Sequence, residues 1–269
     1  MAIIPKSFIE SVVSIGNRNN DGSISWIGTG FFVIRKLKED KTQARPFLVT
    51  NKHIANKLNE KMVLMMKEIG VEKLKVIDIP IFDKNKNLLF VFHPSMTESI
   101  DVAVMPLNGQ FITENNLEFP NFDIDEQAMS SSELMRNGVD EGSLVHMLGF
   151  PMGLVEESGL PICRLGCVAR ISVNQISSNH SILVDIQNFP GNSGSPIIYR
   201  PEFVSIMGTK NLNKCVLMGV IHSYIPYQEH LISTQTNRIV EIREENSGIA
   251  LMHPVEYIRD IIDTILPNE

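Results

Sequence analysis

The segment PGNSGSP, residues 190–196, holds a serine whose flanking glycines allow a tight turn close to a substrate. The main-chain N–H groups of Gly191 and Ser193 then point toward one position. There they stabilise the oxyanion of a tetrahedral intermediate, and one such donor is typically worth about 2.7–4 kcal/mol. A Gly-Ser loop without chemistry is the alternative interpretation, so the assignment depends on a base and an acid elsewhere in the chain.

His53 and Asp101 are the candidates for that base and that acid. A serine hydroxyl becomes an effective nucleophile when an imidazole takes its proton, and the imidazole needs a partner that fixes its tautomer. His53 follows the apolar segment 47–50, FLVT, so a strand delivers it to the rim of a sheet. Asp101 begins the strand-like segment 101–104, DVAV, where a carboxylate needs a partner. Each residue alone has a structural interpretation, and their joint occurrence with Ser193 favours catalysis.

Short β-strands dominate the elements that must position these residues. Segments such as SVVSIG, WIGTGFFVIR and RPFLVTNKHI are rich in Val, Ile and Phe, and Gly, Asn and Asp separate them. Comparable segments, SLVHMLGFP, CRLGCVARISV, HSILVDIQ and CVLMGVIHSYI, follow in the second half. Residues 56–70, NKLNEKMVLMMKEIG, are predicted as a short helix with a Met-rich face. The run VEYIRDIIDTIL after Pro254 predicts an amphipathic C-terminal helix that docks on the second half.

The predicted organisation is one all-β unit of 269 residues made of two similar halves. Residues 1–114 form an N-terminal barrel and residues 143–253 a C-terminal barrel, followed by the helix at 254–266. The acidic and Ser-rich segment 115–142 has weak strand character and connects the barrels.

The composition indicates a globular protein and excludes some ligand classes. Hydrophobic residues make up 43% and charged residues 20%, with a formal net charge of −7. Nucleic acids and anionic membranes need a concentrated basic surface, so a polypeptide partner fits better. We expect neither a nucleic-acid partner nor a membrane partner, since no stretch approaches the roughly 20 apolar residues of a membrane-spanning helix.

The three cysteines, Cys163, Cys167 and Cys215, cannot all pair within one chain. The first residues lack the apolar core of a signal peptide, so we expect a cytoplasmic protein with reduced thiols. A zinc site is the alternative, but the spacing lacks both a CxxC motif and a fourth ligand. We therefore expect structural thiols, no metal and no cofactor.

Three motifs in the order His, Asp, Ser resemble the chymotrypsin/trypsin-like serine peptidases: TNKHIA at 50–55, SIDVAV at 99–104 and GNSGSP at 191–196. The resemblance implies a chymotrypsin-like fold of two packed antiparallel six-stranded β-barrels. It also implies His53, Asp101 and Ser193 as a catalytic triad and Gly191 with Ser193 as the oxyanion hole. The segments GTGFFV, LGFPMGL and VDIQNFPGNSGSPII are most similar to the Htr-type bacterial peptidases, and GNSGSP is shared in pattern with glutamyl endopeptidases. No PDZ-like domain is expected after the C-terminal helix.

The resemblance implies a serine endopeptidase, and one departure bears on its control. Digestive relatives become active when a new N-terminus pairs with an Asp before the nucleophile, and Asn192 occupies that position. Activation of that kind is therefore not expected. Narrow specificity or a regulatory protein partner is expected instead, with residues 115–142 and 224–248 as the loops that such a partner orders.

Substrate specificity in this family depends on a pocket beside the nucleophile, for which the candidates are Gln187, His222, Ser223 and Tyr224. A histidine on the strand 219–224 favours an acidic or Gln side chain at P1, the substrate residue before the scissile bond. His222 is one residue later than that histidine, however, and one residue reverses the face of a strand. An apolar P1 therefore stays open. The alternative function is a catalytically silent pseudoprotease that binds peptides or proteins. A lipase or esterase fits poorly, because α/β-hydrolases have the order Ser, Asp, His.

Overall fold

A computed structural model describes residues 3–71, 74–95, 99–202 and 206–267. The strands of this part of the chain are β1 Val12–Arg18, β2 Ile24–Lys36, β3 Ala44–Thr50, β4 Lys61–Lys67, β5 Leu74–Pro80, β6 Val91–Phe92, β7 Ala103–Pro106, β8 Phe122–Asp123, β9 Leu144–Gly149, β10 Ile162–Arg170, β11 Ile182–Asp185, β12 Pro196–Tyr199, β13 Val216–Ile232 and β14 Ile239–Pro254. Its helices are α1 Lys6–Glu10, α2 Lys52–Ala55, α3 Gly109–Glu114, α4 Ser131–Arg136, α5 Val173–Asn179 and α6 Glu256–Ile265. None of these described helices has the length and apolar character needed to cross a membrane.

The N-terminal half is one curled sheet with the strand order β5-β4-β1-β2-β3-β7-β6, and β8 pairs in parallel with β2. The Leu89 N–H donates to Ile81 O at 2.8 Å in the hairpin between β5 and β6, which brings the two ends of the sheet together. Including β8, this sheet has eight described strands where the sequence predicted a six-stranded barrel. Apolar side chains from β1 to β5, among them Ile15, Leu64 and Ile77, fill its interior.

The helix predicted over residues 56–70 is wrong, because the middle of this segment, Lys61–Lys67, is strand β4. Met62 and Leu64 of β4 are fully buried in the interior of the N-terminal sheet. β4 pairs with β1 and β5 on its two sides, which satisfies its main-chain groups and overrides the helix propensity of its methionines.

The C-terminal half is a closed antiparallel barrel with the strand order β10-β11-β14-β13-β12-β9. Val145, Val184, Ile197, Met218 and Met252 are fully buried in its interior. This closed six-stranded barrel, the N-terminal sheet and the C-terminal helix confirm the all-β, chymotrypsin-like fold class.

Helix α6 lies close to the position that the sequence predicts. Val255, Ile258 and Ile262 are fully buried, as the helical periodicity requires. They pack in a cluster that includes Phe31 and Phe122 of the N-terminal sheet as well as residues of the C-terminal barrel. The helix therefore contacts both halves, whereas the sequence predicted docking on the second barrel alone.

Strands β13 and β14 continue beyond the barrel as a two-stranded ribbon. Their pairing extends to the register pair Ile232 and Ile239, far past the last β12 contact at Val220. Most of the ribbon is exposed, including the apolar side chains of Tyr227, Val240 and Ile242. The sequence predicted a long loop here; in the structure the segment is ordered by cross-strand pairing.

Candidate active site

His53 and Asp101 meet because the strands that precede and follow them are paired. Thr50, the last residue of β3, lies opposite Ala103, the first residue of β7. Antiparallel pairing therefore brings the residues just after β3 next to those just before β7. The Asn51 side-chain amide strengthens this junction by donating to Asp101 O at 2.7 Å.

The Asp101 carboxylate holds His53 through two hydrogen bonds. Its Oδ1 accepts the His53 main-chain N–H at 2.9 Å, and its Oδ2 lies 2.5 Å from the ring Nδ1. Because a carboxylate accepts, Nδ1 carries the proton and Nε2 keeps its lone pair. The His53 side chain is 35% exposed, so this lone pair belongs to a ring that solvent reaches. The arrangement is that of an oriented general base.

The loop that carries Ser193 takes a shape that two glycines permit. Gly191 has φ +96° and Gly194 has φ +87°, in the left-handed region that side chains rarely adopt. A Cβ at Gly191 would overlap Phe150 O, and a Cβ at Gly194 would overlap Thr29 O. The loop is joined to β13 by the Gly194 N–H, which donates to Ile221 O at 3.0 Å.

Thr29 on β2 fastens this loop to the N-terminal sheet. Its hydroxyl donates to Gly191 O at 2.7 Å and accepts the Phe150 N–H at 3.1 Å, and its main-chain N–H donates to Ser193 O at 2.8 Å. The Thr50 hydroxyl in turn donates to Thr29 O at 2.8 Å. Thr29 is not among the residues predicted from the sequence, although the GTG segment at 28–30 is a local signal for it.

The donors expected of an oxyanion hole are present and uncommitted. Within the described part of the chain, the N–H groups of Gly191 and Ser193 donate to no protein acceptor. Each of these N–H groups shares its peptide plane with the preceding carbonyl. Pro190 O accepts the Met152 N–H at 2.5 Å and Asn192 O accepts the Ser195 N–H at 2.9 Å, which holds both planes. The loop therefore offers two main-chain donors next to the Ser193 hydroxyl.

The structure joins His53 to Asp101 but does not join His53 to Ser193 by a hydrogen bond. Across the four described ranges, the Ser193 hydroxyl has no hydrogen-bond partner, and neither does His53 Nε2. The Ser193 loop nevertheless lies next to the strand that delivers His53. A Cβ at Gly194, the residue after Ser193, would lie 2.6 Å from the Thr50 hydroxyl, and Thr50 ends β3.

The candidate specificity residues lie beside this loop in different environments. Gln187 is exposed, and Ser223 O accepts the Asn188 side-chain amide at 3.0 Å. Tyr224 is half-buried. The His222 ring instead stacks on His253, with 3.8 Å between the ring centroids, and its Nε2 is hydrogen-bonded to Ser181 Oγ at 3.0 Å.

Burial holds the pKa of His222 well below its usual range, with smaller contributions from His253 and His53. His222 is therefore neutral and packed near the catalytic histidine candidate.

The residues that the structure describes contain no group of three or more His, Cys, Asp and Glu side chains arranged for a metal ion. Cys163, Cys167 and Cys215 are all free thiols. Burial raises the pKa of the Cys163 and Cys215 thiols, which makes both poor nucleophiles near neutral pH.

No family model and no curated protein matches the sequence. A solved structure that resembles the chain is the crystal structure of the MamO protease domain from Magnetospirillum magneticum in its apo form. The two share 12% sequence identity over 94% of this chain and 96% of that chain, with a TM-score of 0.49. A likeness of that size carries no functional conclusion.

Proposed function

We propose that the protein is a serine endopeptidase that hydrolyses peptide bonds through an acyl-enzyme. The observation that carries the proposal is the pair of hydrogen bonds by which Asp101 holds the main chain and ring of His53, at 2.9 and 2.5 Å. These two hydrogen bonds orient the His53 ring and leave its Nε2 free. The ring follows β3, against whose end the Ser193 loop packs. In a Ser-His-Asp triad, the aspartate holds the histidine in this way.

In the proposed reaction, Ser193 Oγ forms a bond to the substrate carbonyl carbon while His53 Nε2 takes the hydroxyl proton. The carbonyl oxygen becomes an oxyanion that the Gly191 and Ser193 N–H groups bind. Asp101 keeps its charge and stabilises the imidazolium through Nδ1–H.

Collapse of this intermediate breaks the carbon–nitrogen bond, and His53 donates its proton to the leaving amine. An acyl group then remains on Ser193. A water molecule attacks the acyl carbon while His53 takes one of its protons, and the second collapse returns that proton to Ser193 Oγ. The proposed cycle consumes one peptide bond and one water and uses no cofactor.

The proposed substrate is a polypeptide that adds as an extended strand to β13. Within the described residues, the pairing of β13 with β12 ends at Val220, so this edge of β13 has no strand partner beyond Ser223. Ser223 O itself accepts the Asn188 side-chain amide. Main-chain hydrogen bonds along such an edge provide affinity, and side-chain pockets provide specificity. Gln187, Ser223 and Tyr224 are the proposed neighbours of the P1 side chain. A P1 contact by His222 stays a prediction, although its ring is packed on His253.

The finer parts of the sequence prediction enter this proposal as well. They are one peptidase unit over residues 1–269, a particular kinship with Htr-type and glutamyl endopeptidases, a cytoplasmic location and control by a regulatory protein. The proposed binding surface for such a regulator is the exposed β13–β14 ribbon at residues 225–247. The ribbon continues directly into the part of β13 that is hydrogen-bonded to the Ser193 loop.

A pseudoprotease that binds polypeptides without cutting them is the second candidate function. The observation that favours it is the Ser193 hydroxyl, which forms no hydrogen bond to His53 among the described residues. In active enzymes as well, catalytic hydrogen bonds are often long without substrate and tighten in the complex, so labelling must decide between the two functions.

Intact-mass analysis after treatment with a fluorophosphonate distinguishes the two functions. We expect one adduct on the wild type and none on Ser193→Ala. Ser195→Ala is the matched control: Ser195 lies in the same motif but is fully buried, so this variant should still be labelled. A wild type without an adduct would contradict the endopeptidase proposal and favour the pseudoprotease.

A further inference from the structure

Five of the seven histidines lie in or directly behind the candidate active site. Besides His53, the group consists of His93, His180, His222 and His253, and three of these four rings contact Tyr257 edge-on. The proposed reaction uses only His53. The other four histidines and Tyr257 are called the histidine cluster below.

His253 connects the cluster to the active site through the main chain of Asp101. Its Nε2 lies 3.0 Å from the Asp101 nitrogen and accepts the N–H, and its Nδ1 lies 2.7 Å from His180 O. A main-chain N–H only donates and a carbonyl oxygen only accepts, so Nε2 is unprotonated and Nδ1 carries the proton. Both ring nitrogens of His253 are thus committed, in one tautomer of the neutral ring.

Packing fixes the His253 ring in this position. The residue is fully buried, and its ring stacks on His222 at an interplanar angle of 12° and meets Tyr257 at 87°. Burial lowers the pKa of His253 from 6.5 to about 4. The hydrogen bond to His180 O and the Asp101 charge raise it by smaller amounts, and His93 lowers it slightly further. The acceptor for the Asp101 N–H is therefore present throughout the neutral range.

His253 belongs to the half of the molecule that carries the nucleophile. It lies on β14 opposite Val220 of β13, and the next residue of β13, Ile221, accepts the Gly194 N–H. Asp101 belongs to the other half, just before β7. The hydrogen bond between His253 and Asp101 therefore ties the His–Asp side of the site to the strand that holds the Ser193 loop.

We propose that His253 is a positioning residue that sets the Asp101 carboxylate, and through it the His53 ring, relative to the Ser193 loop across the two halves. The inference rests on the proposed function for its catalytic consequence. The inference also says that the His53–Asp101 hydrogen bond depends on an acceptor at position 253. This dependence does not require peptidase activity.

Two amide substitutions separate the two hydrogen bonds of His253. In His253→Asn, the short side chain retains a donor near His180 O but has no acceptor at the distance of Nε2. In His253→Gln, the longer side chain places its carbonyl oxygen within reach of the Asp101 N–H. Tyr257→Phe is the matched control inside the cluster, because it removes the hydroxyl that is hydrogen-bonded to His180 Nδ1 at 3.0 Å and leaves Asp101 untouched.

The direct readout is proton NMR of the His53 Nδ1–H, whose short hydrogen bond to Asp101 shifts its signal far downfield. We expect His253→Asn to shift or abolish this signal, and His253→Gln and Tyr257→Phe to retain it. The fluorophosphonate labelling rate of His253→Asn should fall by roughly ten- to hundredfold, because small misplacement of a catalytic group has effects of that size. His253→Gln should recover most of that rate.

An unchanged His53 signal in His253→Asn would overturn the inference, whether or not the protein is a peptidase. A wild type that is not labelled, with a His53 signal that still depends on position 253, would overturn the proposed function and leave the inference standing. If His253→Asn does not fold, the wild type decides: we expect a nitrogen–nitrogen coupling across the Asp101 N–H to His253 Nε2 hydrogen bond. A protonated Nε2 would overturn the inference.

Discussion

The main-chain N–H of Thr29 donates to the carbonyl oxygen of Ser193 at 2.8 Å, which joins β2 of the N-terminal sheet to the Ser193 loop of the C-terminal barrel. The Thr29 hydroxyl also binds Gly191 O at 2.7 Å. The two carbonyl groups belong to the two residues whose N–H groups form the proposed oxyanion hole. One buried threonine thus anchors the loop at both of these residues.

Thr29→Val should slow fluorophosphonate labelling and destabilise the protein. The substitution keeps the shape of the side chain but leaves Gly191 O and the Phe150 N–H without their partner, in a place where Thr29 is fully buried. An unsatisfied buried group typically costs about 1–3 kcal/mol, so we expect a loss of that size in the free energy of unfolding. Denaturant titration and the labelling rate measure the two effects.

Thr29→Ser is the control, because it retains the hydroxyl and removes only a methyl group. It should be labelled at close to the wild-type rate. Equal labelling rates for Thr29→Val and the wild type would show that the threonine hydroxyl does not position the loop.

Gly191→Ala should abolish labelling, because the added Cβ has no room. Gly191 has φ +96°, and the Cβ would overlap Phe150 O and approach the main-chain nitrogens of Met152 and Gly153 at 3.0 Å. The loop must move to admit it, and the oxyanion donors move with it. Intact-mass analysis after fluorophosphonate treatment is the measurement.

Gly208→Ala is the matched control for backbone strain. Gly208 has φ +91°, nearly the same as Gly191, but no neighbouring atom of the described residues lies within 4 Å of its Cβ position. Alanine at either position meets the backbone penalty of about 1–2 kcal/mol. If Gly208→Ala is labelled at the wild-type rate and Gly191→Ala is not labelled, the steric clash at position 191 causes the loss. Equal labelling of the two variants would contradict the prediction.

Local sequence patterns predicted the fold class, the C-terminal helix and the site residues that lie next to the ends of strands. The helical period of Val255, Ile258 and Ile262 predicted α6, because a helix displays its packing face within a few residues. Short apolar runs between turn residues predicted the strands of both halves. His53 and Asp101 came from the same kind of local signal, a polar residue at the end of a strand, and the structure joins them by two hydrogen bonds.

The missed features depend on partners that are distant in the chain. Thr29 binds Gly191, which lies 162 residues away, and His253 binds Asp101, which lies 152 residues away. No periodicity encodes such pairs. Strand β4 was missed because its methionines favour a helix until β1 and β5 pair with it. The β13–β14 ribbon was missed because its polar and apolar residues do not alternate strictly, and its order comes from cross-strand pairing.

Asn192→Asp should destabilise the protein, and the effect should be larger at neutral pH than at acidic pH. Asn192 is 1% exposed, and in the described part of the chain neither its Oδ1 nor its Nδ2 has a hydrogen-bond partner. A carboxylate at this position is buried without a cation, which costs about 3 kcal/mol or more. Burial without a cation raises the pKa of the new carboxyl above its unfolded value. The Asn192→Asp variant therefore keeps its stability below the pKa that this carboxyl has in the unfolded chain. It loses stability as the pH rises through the pKa that the carboxyl has in the folded protein.

Denaturant titrations at pH 5 and pH 7.5 test this prediction. Asn20→Asp is the control, because it makes the same change of net charge at an exposed turn residue. The difference in stability between the two variants should widen from pH 5 to pH 7.5. A constant difference would mean that position 192 accommodates the charge, through water or a shifted loop.

Acid should destabilise the wild type through His253. The folded pKa of this histidine is lowered from 6.5 to about 4, mainly by burial. Between these values the unfolded chain binds a proton that the native protein does not bind, so stability is full above about pH 6.5 and falls as the pH decreases toward 4. With about 1.4 kcal/mol per pKa unit, the loss attributable to His253 is roughly 3 kcal/mol.

The groups that face His253 are Asp101, His93, His180, His222 and Tyr257. His222, whose pKa is also lowered, adds to the acid destabilisation with the same sign. His253→Gln removes one titrating group and keeps the acceptor for Asp101, so its free energy of unfolding should depend less on pH between 6.5 and 4.5. Parallel stability profiles for His253→Gln and the wild type would mean that His253 is protonated alike in the folded and unfolded chains, against the buried neutral ring described above.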